Sequence, residues 1–215
     1  MKIPKWKALL AGLLALGLLA ACSSATDPGQ LSSFVVYSHP ADASGGLIAS
    51  SRVSPGGSDL DAYAYDSFVL AIGTAINEVR WRGGYAVGGT YGHVNDFTLT
   101  FYASTANDTQ PLCTNPHLPE STYLATYTVG GDAGETVVGD VGGTTMYDYS
   151  FVLPTPFQAT AGTRYWLRIE AAQPALADWG IAVGIGTDSS YYRFLTGSMQ
   201  FATVPGNDVS FTLLK

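Results

Sequence analysis

Charged residues are scarce in this sequence, and basic residues are the scarcest. Ten lysines and arginines stand against 17 aspartates and glutamates, and charged residues make up 13% of the 215-residue chain. A protein that binds the phosphate backbone needs a basic face, so this balance argues against nucleic acid as a partner. It argues equally against electrostatic docking on anionic lipid, while an acidic surface favours solubility.

Cysteine is almost absent as well, since only Cys22 and Cys113 occur. If Cys22 is modified as described below, no second cysteine is left in the chain to form a disulfide with Cys113, and an intramolecular disulfide is excluded. Stability must then come from core packing, for which about 190 residues suffice in one domain. Cys113 lies in the proline-rich "QPLCTNPHLPE" and is predicted to be a buried or half-buried thiol.

Catalytic signatures are also missing. The sequence contains no G-x-S-x-G, no H-E-x-x-H, no P-loop and no paired C-x-x-C. His39, His93 and His117 stand far apart and are interpreted as surface residues, because a metal or catalytic cluster would require them to converge in space. We therefore predict no enzyme, no catalytic residue and no cofactor beyond the structural calcium considered below.

What the N-terminus does contain is a basic start followed by a short apolar run. Lys2, Lys5 and Lys7 precede residues 8–21, which carry no charge. As a helix, this run would span about 21 Å, which is less than the roughly 30 Å of a bilayer core. The pattern is typical of a secretory signal peptide and predicts one over residues 1–21.

The end of this run, "LAAC" at residues 19–22, resembles the lipobox of bacterial lipoproteins. The resemblance implies cleavage before Cys22, diacylglyceryl transfer to its sulfur and acylation of the new N-terminus. Several acyl chains hold a protein firmly on a membrane, whereas a single chain does so only marginally. Ser23 favours the outer membrane in the family's sorting pattern. The alternative is an ordinary signal peptide with an incidental cysteine.

Residues 22–33 are small and polar and are predicted to form the lipidated, flexible tether of the mature protein. Three of the ten basic residues lie in residues 1–21 and all 17 acidic residues lie beyond, so the mature chain carries a net charge of about −10. The expected location is the bacterial cell envelope, with the membrane as a partner through the lipid anchor.

Beyond the tether, apolar and polar residues alternate along short segments separated by glycine-rich turns. In "NDFTLTFYAS", Phe97 and Leu99 share one face, while "TRYWLRIEA" places Trp166 and Arg168 on the polar face. A period of two indicates strands with one buried face. The pattern predicts a single all-β domain over residues 34–215, an antiparallel β-sandwich or barrel. The candidate strands are 34–38, 47–53, 62–72, 76–82, 95–104, 123–129, 135–139, 146–153, 163–171, 180–186, 191–196 and 208–214.

Aromatic residues are the first candidates for ligand binding. Trp81 is expected in the core, but four others lie in or beside predicted loops, where their flat faces could stack on sugar rings. These are Trp179, Tyr85, Tyr91 and Tyr191. The alternative is that these rings plug the ends of the sandwich and pack under loops.

A possible metal site is the acidic segment "SDLDAYAYD", which carries Asp59, Asp61 and Asp66. Calcium takes six to eight oxygen ligands, and three closely spaced carboxylates could supply several of them. The ligand order and the glycine of an EF-hand are missing. The alternative is that these aspartates are solvated residues of a loop and a strand start.

Four segments, "YDSFVL", "INEVRWRGGY", "DFTLTFYAS" and "PTPFQATAGTRYWLRI", occur in this order between about residues 60 and 214. They resemble uncharacterised, jelly-roll-like β-sandwich domains of secreted and surface-anchored bacterial proteins, which are similar to non-catalytic carbohydrate-binding modules. The resemblance implies a jelly-roll-like sandwich, although one fold hosts many functions. We predict a surface lipoprotein with a non-catalytic binding module, and glycan as the first ligand class to test. The alternative is a structural or protein-interaction lipoprotein whose partner is an envelope protein.

Overall fold

The alternating segments fold into β-strands throughout a computed structural model, which describes residues 33–113 and 122–215. The described residues form fifteen strands and no helix, and they belong to one compact unit. The strands form two sheets around a shared hydrophobic core. The predicted all-β sandwich is therefore confirmed. It also follows that no helix long and apolar enough to cross a membrane occurs in these residues.

The first sheet has eight strands. Its central strand, β5, pairs along one edge with β9, and along the other edge with β15 and then β11. The sheet continues through β1 beside β15, β8 beside β9, and both β2 and β14 beside β11. The bounds are β1 Val35–His39, β2 Leu47–Ala49, β5 Thr74–Tyr85, β8 Thr136–Val141, β9 Thr144–Ala159, β11 Trp179–Gly184, β14 Asp208–Val209 and β15 Phe211–Leu214.

The second sheet has seven strands in the order β13-β12-β4-β3-β10-β6-β7, and β4 also pairs with β10. All its pairings are antiparallel except that of β3 with β10, which is parallel. The bounds are β3 Ser51–Val53, β4 Ala62–Val69, β6 Asp96–Ala103, β7 Tyr123–Thr128, β10 Arg164–Gln173, β12 Ser190–Leu195 and β13 Gln200–Pro205.

The main core lies between the sheets and is rich in aromatic rings. Trp81 of β5 is 3% exposed and packs edge-on against Phe97 of β6, with ring centroids 5.1 Å apart. This confirms the prediction that Trp81 is a core residue. Phe97 and Leu99 are both fully buried, as the alternation in β6 predicted.

A second, smaller cluster overturns the prediction that Trp166 and Arg168 lie on an exposed face of β10. Both side chains are buried, because Tyr65, Tyr102 and Phe194 pack around Trp166 on the far side of the second sheet. Strand β10 is thus buried on both faces. The half-buried Cys113 packs against this cluster, as predicted for its thiol.

Two features of the strands differ from the predicted pattern. Strand β9 continues past residue 153 to Ala159, through Pro154 and Pro156. Its register with β5 shifts there, and its pairing with β8 stops at Asp148, so neither proline has to donate to a second neighbour. Strand β13, at the edge of its sheet, was not predicted, because its two partly buried apolar residues, Phe201 and Val204, point to opposite faces and give no hydrophobic alternation.

Candidate functional site

An open groove lies on the outer face of the first sheet and has a volume of about 570 Å³. One row of polar side chains crosses it from strand to strand. Paired registers set Ser38 of β1 beside Thr212 of β15, Thr212 beside Arg80 of β5, and Arg80 beside Ser150 of β9. The hydroxyls of Ser38 and Thr212 are 2.8 Å apart and hydrogen-bonded.

A second row runs parallel to the first and carries the groove's strongest electrostatic interaction. Arg82 of β5 lies beside Asp148 of β9, which lies beside Thr136 of β8. The Nε and Nη2 atoms of Arg82 donate to the two Asp148 oxygens at 2.7 and 2.9 Å. Hydrogen bonding to Asp148 raises the pKa of Arg82, as Glu78 does for Arg80.

The groove faces outward because the period of two in β5 sends alternate side chains to opposite sides of the sheet. Arg80 and Arg82 point to the groove, while Val79 and Trp81 point to the core. Trp81 stacks with Tyr149 of β9 at 5.6 Å, which gives the sheet beneath the groove a rigid aromatic support. Chemically, the groove offers hydroxyls, guanidinium groups and one carboxylate.

The four aromatic residues predicted to form a stacking platform do not lie together on the surface. Trp179, Tyr85 and Tyr191 are buried in the main core, with 1%, 5% and 5% exposure. Tyr91 alone of the four is exposed, at 50%. The predicted platform is therefore wrong, and the alternative, in which the rings pack inside the sandwich, describes the three buried ones.

Glu135 provides the hydrogen-bond acceptor for two of the buried aromatic side chains. Its Oε2 atom accepts hydrogen bonds from the hydroxyls of Tyr85, at 2.6 Å, and Tyr149, at 2.8 Å. The indole nitrogen of Trp179 donates to Tyr149 at 3.0 Å. His93, which is exposed as predicted, approaches the other Glu135 oxygen at 3.5 Å.

The three aspartates predicted as calcium ligands serve separate structural roles. Asp61 is 3% exposed and fixes a turn, since its oxygens accept the backbone N–H groups of Val53 and Ser58, both at 2.9 Å. Asp59 is exposed, and Asp66 is fully buried elsewhere. Within the described residues, the three carboxylates are not grouped as metal ligands, so the calcium site predicted from them is wrong.

Asp66 instead belongs to a buried polar cluster that the sequence did not reveal. The cluster consists of His39, Asp66 and Asp208. Each residue offers one potential ligand atom, and these three atoms all lie within 4.8 Å of one another. His39 is 2% exposed, which corrects its interpretation as a surface residue. The sequence marked only Asp66, as a candidate metal ligand with other partners, because the members of the cluster are 27 to 169 positions apart.

Burial governs the electrostatics of the cluster. Desolvation raises the pKa of Asp66 to about 6, despite hydrogen bonds from His39, Val209 and Ser67. Burial also raises the pKa of Asp208, and the neighbouring Asp188 carboxylate raises it further. For His39, burial lowers the pKa, but the bond to Asp66 and its charge outweigh this, so the net shift is upward.

Arg168 occupies the centre of the second aromatic cluster as a buried cation. Its Nη2 atom lies 3.1 Å from Glu170, which is also held by Arg52. The guanidinium carbon lies 5.2 Å from the centroid of Tyr63 and 5.8 Å from those of Tyr65 and Tyr102. These cation–π contacts replace part of the lost hydration and mark Arg168 as a structural residue.

Three sequence predictions lie outside the described residues. They are the signal peptide with the lipidation of Cys22, the flexible tether over residues 22–33 except for Ser33, and the placement of His117.

Comparison with known proteins identifies the chain only at the level of its family. No curated protein matches the sequence. A family model described as a domain of unknown function, DUF7901, matches residues 35–191, which is most of the chain and includes strands β1 to β11. The protein therefore belongs to the DUF7901 family.

Proposed function

We propose that the protein is a lipoprotein of the bacterial cell envelope, anchored through Cys22, whose sandwich is a non-catalytic module that binds carbohydrate. The ligand would lie in the groove on the outer face of the first sheet. The jelly-roll-like resemblance and the lipobox supplied this expectation from the sequence. The groove now takes the place of the aromatic platform as the binding surface.

The single observation that carries the proposal is the pair of polar rows across the groove. Ser38, Thr212, Arg80 and Ser150 form one row, and the Arg82–Asp148 pair with Thr136 forms the other. A polyhydroxylated ligand needs donors and acceptors at short, regular spacing, and neighbouring strands provide a spacing of about 4.8 Å. Side chains on strands are also held more rigidly than side chains on loops.

Size and charge are consistent with this ligand class. The groove volume of about 570 Å³ lies within the range of about 300–1,000 Å³ that is usual for small-ligand sites. Because Arg82 is neutralised by Asp148, the groove is not a strong anion site, and its polar groups favour neutral hydroxyls.

The test is a glycan array probed with the detergent-solubilised full chain, followed by calorimetric titration of any hit. We expect Arg82→Ala and Thr212→Val to weaken binding by about tenfold or more, which is the equivalent of one lost hydrogen bond to a charged or polar group. Thr203→Val is the matched control, since Thr203 is an exposed threonine of β13 in the other sheet.

Binding that is unaffected by Arg82→Ala and Thr212→Val would place the ligand elsewhere and overturn the proposal for this groove. If no glycan binds, the alternative of a structural or protein-interaction lipoprotein gains support. Crosslinking in cells, followed by identification of the partner, then tests that alternative. The lipid anchor is tested separately by mass spectrometry of the mature N-terminus in the wild type and in Cys22→Ser.

A further inference from the structure

The buried cluster of His39, Asp66 and Asp208 lies apart from the groove and brings three distant strands together. His39 ends β1, Asp66 lies in β4, and Asp208 begins β14. All three are at most 2% exposed, and one ligand atom of each lies within 4.8 Å of those of the other two. The cluster therefore connects the first sheet, through β1 and β14, to the second sheet, through β4.

The hydrogen bonds of His39 leave one ring nitrogen facing a carboxylate. Nε2 of His39 lies 2.6 Å from the Tyr37 hydroxyl, which also donates to the backbone oxygen of Ser67 at 3.2 Å. Nδ1 lies 3.3 Å from Oδ2 of Asp66, an oxygen that also accepts the N–H of Val209 at 2.6 Å. The Nδ1–Oδ2 distance is long for a hydrogen bond, and a metal ion that binds a histidine and a carboxylate replaces the proton between them.

Asp208 contributes an independent observation, a buried carboxylate oxygen without a partner. Its Oδ2 atom accepts the N–H of Gly186 at 3.0 Å, but no donor reaches its buried Oδ1 atom. The neighbouring carboxylate is that of Asp188, which can bond to Asp208 only through a shared proton because both groups are acceptors when ionised. Arg164, the nearby cation, already bonds to Asp188 and to Ser67. A buried carboxylate oxygen without a partner is costly unless a proton or a metal ion neutralises it.

We propose that His39, Asp66 and Asp208 bind a divalent metal ion of the zinc type. One imidazole with two carboxylates is a ligand set that suits Zn²⁺, which takes four ligands, whereas Ca²⁺ takes six to eight oxygens. The other ring nitrogen of His39 is held by Tyr37, as a second partner commonly orients a metal-binding histidine. Asp188, which neighbours Asp208, is exposed, so this side of the cluster lies nearest to solvent.

The role of this ion would be structural. It would crosslink the two sheets at one end of the sandwich, in a chain that has no pair of cysteines available there for a disulfide. Metal binding to the folded state alone stabilises that state by mass action. This inference does not depend on the proposed carbohydrate function, because the groove residues are not part of the cluster.

The experiment titrates Zn²⁺ into the EDTA-stripped full chain, measuring stoichiometry by native mass spectrometry and affinity by calorimetry. We expect one Zn²⁺ per chain and a rise of roughly 5–10 °C in the unfolding midpoint at 100-fold excess over Kd. Asp208→Asn and His39→Gln should each weaken binding at least about tenfold. Asp59→Asn, at an exposed aspartate outside the cluster, is the control and should bind normally.

A second measurement needs no variant and so does not depend on whether the substitutions fold. Co²⁺ added to the stripped wild-type chain should give the visible absorption of a four- or five-coordinate site and shift the NMR signals of one histidine. The proposal is overturned if neither Zn²⁺ nor Co²⁺ binds to the folded wild type at 100 µM, which would mean that protons neutralise the cluster. It is equally overturned if folded Asp208→Asn binds Zn²⁺ as tightly as the wild type.

Discussion

The indole nitrogen of Trp179 donates a hydrogen bond to the hydroxyl of Tyr149, 3.0 Å away, inside the core. The Tyr149 hydroxyl in turn donates a hydrogen bond to Glu135 at 2.8 Å, so a chain of hydrogen bonds leads from the buried Trp179 ring to the partly buried Glu135 carboxylate. The residue that the sequence suggested as a sugar-stacking surface is thus a fully enclosed part of the fold.

Trp179→Ala should lower the free energy of unfolding by about 3–5 kcal/mol, because it removes a large buried ring and leaves a cavity. Tyr91→Ala, at the exposed member of the four predicted aromatics, should change it by less than about 0.5 kcal/mol. Urea unfolding followed by tryptophan fluorescence and circular dichroism measures both. Equal losses of unfolding free energy in the two variants would contradict the burial of Trp179 and the exposure of Tyr91.

Gly83→Ala should destabilise the protein by about 1–3 kcal/mol through overpacking. A Cβ atom at Gly83 would overlap the Trp179 ring and lie 2.6 Å from the backbone oxygen of Gly180. Gly73→Ala is the graded control, since its nearest neighbours would be 3.2 Å away. The unfolding midpoint of Gly83→Ala should therefore be lower than that of Gly73→Ala. A larger loss of stability in Gly73→Ala would contradict the close approach of β5 and β11 at Gly83.

Arg168→Leu should cost about 3 kcal/mol, because it leaves the buried Glu170 carboxylate with one partner fewer and empties a site surrounded by tyrosines. Arg52→Leu removes the other, more exposed partner of Glu170 and should cost about 1 kcal/mol or less. Chemical denaturation at neutral pH compares them. If Arg168→Leu were as stable as the wild type, the guanidinium would have no net stabilising role there.

The metal-free protein should become less stable as the pH rises from about 4 to about 6. The pKa of Asp66 is raised from its ordinary 3.8 to about 6 by burial, so in this window the folded state retains a proton that the unfolded state loses. A shift of about 2 pKa units corresponds to roughly 3 kcal/mol, lost progressively over that window. The raised pKa of His39 acts in the same direction as the pH rises further.

Asp66→Asn should flatten this slope, which denaturant titrations of the EDTA-treated chain at several pH values would reveal. Asp42→Asn is the control, because hydrogen bonding to Ser44 lowers the pKa of Asp42 and its contribution has the opposite sign, being lost as the pH falls. An unchanged slope in Asp66→Asn would assign the pH dependence to other groups.

How far the sequence predicted this structure depends on whether the information was local. The alternation in β5 and β6 predicted both strands and the burial of Trp81 and Phe97, because side chains on a strand point to opposite faces every second residue. The same rule failed for Trp166, since alternation distinguishes two faces but does not show whether a second cluster covers the outer one. The edge strand β13 carried no signal because its two partly buried apolar residues, Phe201 and Val204, point to opposite faces.

The sequence by itself determined the fold class, the lack of a disulfide if Cys22 is lipidated, and the expectation of a lipid anchor, since each rests on composition or on neighbouring residues. Only the tertiary structure decided that Trp179 is buried, that Asp59 and Asp66 are separated, and that His39, Asp66 and Asp208 meet. The physical reason is that pairing between strands distant in sequence sets which side chains become neighbours. That register is fixed by packing across the whole sandwich and not by any single segment.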